Sequence, residues 1–330
     1  MKFSKQATFA GFWLWAAAAC AQPVADAQWN TDLAAGRFAQ VERAASARIK
    51  TNADDIDAHA ALVRSALALN DGPKRDAALK LMEACVQRVP RSAVCQYGVG
   101  SLLGAQAISK GVVNAAMSMS RIRESLQTAL ELDNSMFAAR SALAQFYLLA
   151  PGLAGGRVSK ARELAQTAEP NHPDHAKVLM AMYFLHEGKL DDAELQLNAL
   201  KSGTDTEVNE EADEQRARLA FAQLNSKNRA KAQATFERFI AERPQLARGH
   251  YGLGRVYSEA GAWDQAIASF TTAATLQGVA DFPNDYRLGI ALQAKGSREL
   301  ARAAFVRFIA AGKGIPKHLE DAQKRLTELR

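Results

Sequence analysis

Between Ala247 and Ala273 the chain reads ARGHYGLGRVYSEAGAWDQAIASFTTA, and the spacing of Leu253-Gly254, Tyr257, Gly261, Ala266, Phe270 and Ala273 decides the fold. With Ala247 as position 1, the next leucine–glycine pair, Leu288-Gly289, brings Gly296, Ala301, Phe305 and Phe308 at the same offsets, so a second unit starts at Phe282. Upstream, Pro244 closes a preceding unit, Ala232 and Phe236 fill its A-x3-F positions and Leu219 its leucine position, for a start near Asp213. Three consecutive units in near-constant register are hard to obtain by chance.

This pattern resembles the tetratricopeptide repeat, a helix–turn–helix unit of about 34 residues with an L-G-x2-Y…A-x3-F core. The resemblance implies an all-α, right-handed solenoid, because one such unit cannot bury its apolar face without neighbours. Looser matches place further units from about His59, Ala93, Phe137 and Asp174, which makes about six to seven repeats over residues 22–330, clearest at 213–312. The unit from Ala93 carries an insertion over Ala107 to Ser120, and Phe38 to Lys50 reads as an N-terminal helix or half repeat. After Pro316, Leu319, Ala322, Leu326 and Leu329 share one stripe, so residues 313–330 read as a capping helix with a polar outer face. No segment alternates with strand period.

Of the 330 residues 48% are hydrophobic and only 7% aromatic, a balance that suits thin, closely packed helices. The formal net charge is +6; loss of Lys2 and Lys5 with a leader leaves 39 basic against 35 acidic residues. So mild a charge gives no expectation of nucleic acid as a partner, which calls for a concentrated basic face. Residues 1–21 read as a signal peptide: Lys2 and Lys5, an apolar stretch from Ala7 to Ala19, then Ala19-Cys20-Ala21. The apolar part is short for a membrane span. Ala17-Ala18-Ala19-Cys20 also resembles a bacterial lipobox with Ala17 in place of the usual leucine. Cleavage before Gln22 and lipidation of Cys20 are both open. Membrane attachment is expected only through Cys20.

Either route leaves Cys85 and Cys95 in an exported, bacterial, periplasmic or outer-membrane-anchored body. In register, Cys85 lies late in a second helix and Cys95 near the start of the next first helix, so a disulfide across the turn containing Pro90 is expected. Two buried free thiols are the alternative.

The largest departure from the repeat is LLAPGLAGGRVSKARELA, Leu148 to Ala165. It is similar to PG…GG insertions in exported bacterial repeat proteins of unassigned function. A helix is expected to end before Pro151 and another to open at Ser159 as N-cap. Gly155, Gly156, Arg157, Ser159 and Lys160 are then a candidate anion loop, with backbone N–H groups and two cations facing a phosphate or carboxylate. A long turn with left-handed glycines is the plainer reading, and no G-K-[ST] follows for a nucleotide loop. His172 and His175 read as a solvated turn, because Pro173 should prevent their helical presentation. The acidic run Asp205 to Glu214 reads as a solvated lead-in to a helix. No paired catalytic carboxylates, G-x-S-x-G or H-E-x-x-H pattern occurs. The chain is therefore read as a non-enzyme without metal or cofactor.

The resemblance implies that positions 2, 5, 6, 9, 12 and 13 of each first helix line a concave face. Those positions hold Arg218 and Phe221 in one unit, Arg248, Tyr251 and Arg255 in the next, and Tyr286 and Arg287 in the last. The unit from Asp174 contributes His175, Val178, Leu179, Met182, Leu185 and His186, an apolar patch. Arginine forks and tyrosine rings suit an acidic protein or peptide partner, although the asparagines of the chaperone-type carboxylate clamp are missing. The expected function is a protein-interaction scaffold in the cell envelope. A lipoprotein that assists assembly or secretion, and a small-anion or nucleotide binder at the Gly152–Lys160 loop, remain open beside it.

Overall fold

The computed structural model describes residues 24–110, 118–201, 205–312 and 314–329. The signal-peptide region and Cys20 lie outside the described residues. Seventeen α-helices and no β-strand occur among them. Two N-terminal helices, α1 (Ala27–Ala34) and α2 (Phe38–Thr51), precede six pairs. The first three are α3 (Ile56–Leu69) with α4 (Gly72–Arg88), α5 (Ala93–Lys110) with α6 (Met119–Leu132) and α7 (Phe137–Leu149) with α8 (Val158–Ala168), and α9 (Pro173–His186) and α10 (Leu190–Asn198) follow them in the chain. The pairs continue as α11 (Thr206–Asn225) with α12 (Arg229–Glu242), α13 (Ala247–Glu259) with α14 (Trp263–Ala273) and α15 (Asn284–Ala294) with α16 (Arg298–Ala311), closed by α17 (Pro316–Glu328). Odd-numbered helices also touch across pairs, α3 to α5, α5 to α7, α7 to α9 and α13 to α15. This is an all-α helical repeat fold.

The repeat signature is a record of where helices touch. A Cβ on Gly254 would stand 2.5 Å from the Phe270 ring, and one on Gly289 would stand 2.7 Å from the Phe305 ring. The glycine of the first helix is thus the seat of the phenylalanine of the second. Ala266 and Ala301, beside those rings, are fully buried. Between pairs, Gly252 receives Phe236 in the same manner. The hairpin turns use Gly261 and Gly296 at φ +73° and +78°; at the corresponding turn of α11 and α12 the chain tolerates Lys227 at φ +62°.

The chain forms two compact units rather than one uniform array. Unit 1 takes residues 1–187 and 196–214, and unit 2 residues 188–195 and 215–330. Their boundary falls inside α11, which starts at Thr206, well before the expected unit start near Asp213. The reason is burial: Glu207, Val208, Glu211, Ala212, Asp213 and Glu214 are all buried. The acidic run is therefore two helical turns of the interior, not the solvated lead-in that its composition suggests.

In unit 1, Cys85 on α4 and Cys95 on α5 bring their sulfurs to bonding distance, with Cα atoms 5.7 Å apart and both residues buried. Closing a short loop in the unfolded chain contributes about 2–3 kcal/mol. Reduction is accordingly expected to lower the melting temperature of the wild type and to leave a Cys85→Ser, Cys95→Ser variant unchanged. Equal melting with and without reductant would show the thiols to be free.

Candidate functional site

Unit 2 carries the face that the repeat register nominates. Arg218 and Phe221 lie on α11, Arg248, Tyr251 and Arg255 on α13, and Tyr286 and Arg287 on α15. The register says nothing of how deep each of these side chains sits. Tyr251 is 1% exposed and stacks on Phe282 at 4.6 Å, and Tyr286 is 6% exposed. Both rings are core, because the helices approach so closely over Gly252, Gly254 and Gly289 that large side chains at these positions are enclosed. Phe221 packs edge-on to Phe236 at 5.0 Å. The arginines are half-buried: Arg248 lies 6.0 Å over the Phe282 ring, and Arg255 faces Glu259 at 3.4 Å.

The end of this face is already covered. In α17, Asp321 accepts a hydrogen bond from Tyr286 Oη at 2.9 Å, Arg325 donates to Gln293 at 2.9 Å, and His318 stacks on Tyr286 at 4.6 Å. Tyr286 thus engages α17 rather than an open surface, and Arg287 lies 5.4 Å over its ring. Ala322 of α17 and Leu329 just after it are buried.

In unit 1 the corresponding helices also have an occupant. Arg64 on α3 grips Glu210 of α11 through both carboxylate oxygens, at 2.7 and 3.0 Å. Ser141 on α7 donates to Glu211 at 3.1 Å, and Gln145 donates to Ser141. Burial lifts the Glu207 carboxyl to about 8, reinforced by Asp205 and Glu210 and opposed by Arg64. Of the expected apolar patch, Val178, Leu179 and Met182 are interior, while Leu185 is half-buried and His186 exposed. Pro173 opens α9 as its first residue, where its missing N–H costs nothing, and so places His172 and His175 on one side with rings stacked at 4.7 Å. His175 is buried against Phe137, and burial first, then His172 and Arg140, depress it to about 4. The pair is neither solvated nor, among the described residues, part of a cluster of three or more metal-ligating side chains.

The glycine-rich loop forms a second site in unit 1. After α7 a 3-10 turn covers Gly152–Ala154, and Gly155 takes φ +98°. A Cβ on Gly156 would collide with the Ala150 carbonyl. The backbone N–H groups of Gly155, Gly156 and Arg157 donate to Gly152, Pro151 and Tyr147, and that of Lys160 to Arg157. The expected backbone cradle is therefore spent on the loop itself. Arg157, not Ser159, is the N-cap residue, and Ser159 is exposed in the first turn. The side chains of Arg157 and Lys160 instead line a cleft of about 200 Å³ with Arg123, Gln127 and Tyr147, and Gly155 completes it.

The family profile described as Tetratricopeptide repeat matches residues 218–245, the end of α11 and all of α12. The chain carries a tetratricopeptide repeat over these residues. Its repeat fold is similar to that of the human IFIT1 dimer with PPP-AAAA, at TM-score 0.53 and 15% identity over 83% of this chain and 62% of that one. It is also similar to yeast Tom70, at TM-score 0.50 and 14% identity, over 79% of this chain and 59% of that one. The tetratricopeptide-repeat chain therefore spans about three fifths of the length of those two structures. At such identity the likeness is one of fold alone. A tetratricopeptide repeat protein from Parabacteroides merdae aligns more weakly, at TM-score 0.46 and 17% identity over 82% of this chain and 98% of that one. No curated protein sequence matches.

Sequence reading of the tetratricopeptide-repeat protein missed Arg64, Ser141, Arg123 and Tyr147. Arg64 and Arg123 stand on helices far in sequence from the residues they serve. The longer spacing between the helices of the Phe137 unit was the available signal for the cleft.

Proposed function

We propose that this tetratricopeptide-repeat protein is a non-enzymatic scaffold of the bacterial cell envelope that binds an acidic protein segment on the first-helix face of unit 2. The observation that carries the reading is the set of half-buried arginines there, Arg218 and Arg248 and Arg255 on two successive first helices, with Phe282 beneath Arg248. Arginine in a partly desolvated setting suits carboxylate recognition. Unit 1 supplies an internal precedent, since Arg64 there already holds an acidic helix through Glu210.

An Arg218, Arg248, Arg255→Ala triple variant is expected to lose at least one partner from the set captured with the exported wild-type protein, while its circular-dichroism melt stays within a few degrees. Identical partner sets would overturn the reading. Export rests on the leader residues Lys2 to Ala21 and on the cysteine pair of unit 1. Fatty-acid labelling of wild type and Cys20→Ser separates a lipid-anchored accessory from a free periplasmic protein.

A further inference from the structure

The cleft at the glycine-rich loop gathers cations from three stretches of chain that the repeat has no need to bring together. Arg123 comes from α6, Arg157 from the loop end and Lys160 from the first turn of α8, with Gln127 of α6 and Tyr147 of α7 between them. Neither Arg157 nor Lys160 has a carboxylate partner among the described residues. Arg123 has only Glu124, at 3.5 Å, on a side chain 65% exposed. Glu163, on the surface of α8, is the carboxylate whose field reaches Tyr147. Three positive groups thus converge on one cleft against two carboxylates that face water.

The hydrogen-bond polarity is informative. Gln127 Nε2 donates to Tyr147 Oη at 3.2 Å, which occupies the oxygen as acceptor and leaves the phenolic proton to be donated elsewhere. Lys160 Nζ stands 5.8 Å over the Tyr147 ring, so the lysine is held across the cleft. Gly155 makes room for this arrangement: a Cβ there would stand 3.0 Å from Arg123 Nη1. The loop is pinned by its own backbone bonds and by Arg157 N–H to the Tyr147 carbonyl at 2.8 Å. What the cleft lining offers a guest is side-chain donors, approaching from several directions. Such a set fits a tetrahedral oxyanion with many acceptor positions better than a planar carboxylate.

We propose that this cleft of unit 1 binds a phosphate group, free or carried as a small phosphomonoester, through Arg123, Arg157 and Lys160 with Tyr147 donating its hydroxyl. The site is independent of the arginine face of unit 2 and would stand if that reading failed.

The test is calorimetric titration of the full exported protein at low salt with inorganic phosphate, with glycerol 3-phosphate and with acetate. Saturable binding of a phosphate probe, at least tenfold tighter than acetate, is the expected result. Tighter binding of the ester than of the ion would identify a carried phosphate, and the reverse a free one. An Arg157→Ala, Lys160→Ala variant is expected to weaken binding at least tenfold, and Tyr147→Phe a few-fold, with unchanged melting curves in the absence of ligand. Absence of phosphate binding, equal affinity for acetate, or unaltered affinity in the double variant would overturn the proposal.

Discussion

Phe270→Ala is expected to lower stability by about 3–5 kcal/mol, the range for emptying a fully buried phenylalanine site. The ring is completely buried in the core of unit 2, flanked by Ala266 and Ala273, with Tyr251 at 5.8 Å. Its other side lies on Gly254, so the cavity opens between both helices of the pair. In a repeat array each pair is stabilised mainly by its neighbours. Loosening α13 and α14 therefore weakens the interfaces with α12 and α15 as well. The midpoint should fall by about 10 °C or more, read by circular dichroism or urea titration. Leu153→Ala, at a fully exposed side chain, is the matched control and should change little. A loss below about 1 kcal/mol for Phe270→Ala would mean that the glycine seat does not organise the repeat.

Glu207→Gln is expected to stabilise the protein at alkaline pH and to do nothing at acid pH. Burial holds the native carboxyl at about 8, above its ordinary 4.5. The native state thus keeps a proton that the unfolded chain releases. Its contribution is fully present below about 4.5 and is lost as pH rises through about 8, at up to about 1.4 kcal/mol per pH unit. His175 acts oppositely: held at about 4 against an ordinary 6.5, it costs stability as pH falls from 6.5. The two slopes offset one another between about 4.5 and 6.5, so the wild type should lose stability chiefly between 6.5 and 8. Glutamine keeps the shape and removes the proton, so the variant should exceed the wild type by about 2–4 kcal/mol at pH 8 and match it at pH 4.5. Parallel denaturation curves from pH 4.5 to 8.5 give the difference directly. A constant offset at all pH values would place Glu207 outside the interior.

Both predictions bear on what the sequence can disclose. The Phe270 contact was legible because close helix approach demands a small residue opposite a large one, and that demand repeats at fixed intervals. The α11 burial was not, since Arg64 and Glu210 meet across 146 positions and carboxylates ordinarily mark a surface. Register likewise named the face that holds Tyr251 and Tyr286 but said nothing of how deep each ring would sit. In the glycine-rich loop, the glycines and two cations were visible as a local cluster. Arg123 was not, because it belongs to the preceding helix pair and enters only once α6 has packed beside α7. Local periodicity reports neighbours one helix away; contacts made by the third dimension leave no such mark.

The contacts of α17 have one more consequence. Each odd-numbered helix from α3 to α7, and again α13, offers its flank to the odd-numbered helix of the following pair. At α15 that flank is taken instead by Asp321, Arg325 and His318, which engage Tyr286 and Gln293. A chain ended at Gly312 would expose the docking edge that recruits a next member, and another molecule's helix would be the nearest substitute. The last described helix therefore holds, beside α15, the place that a following first helix takes beside α13.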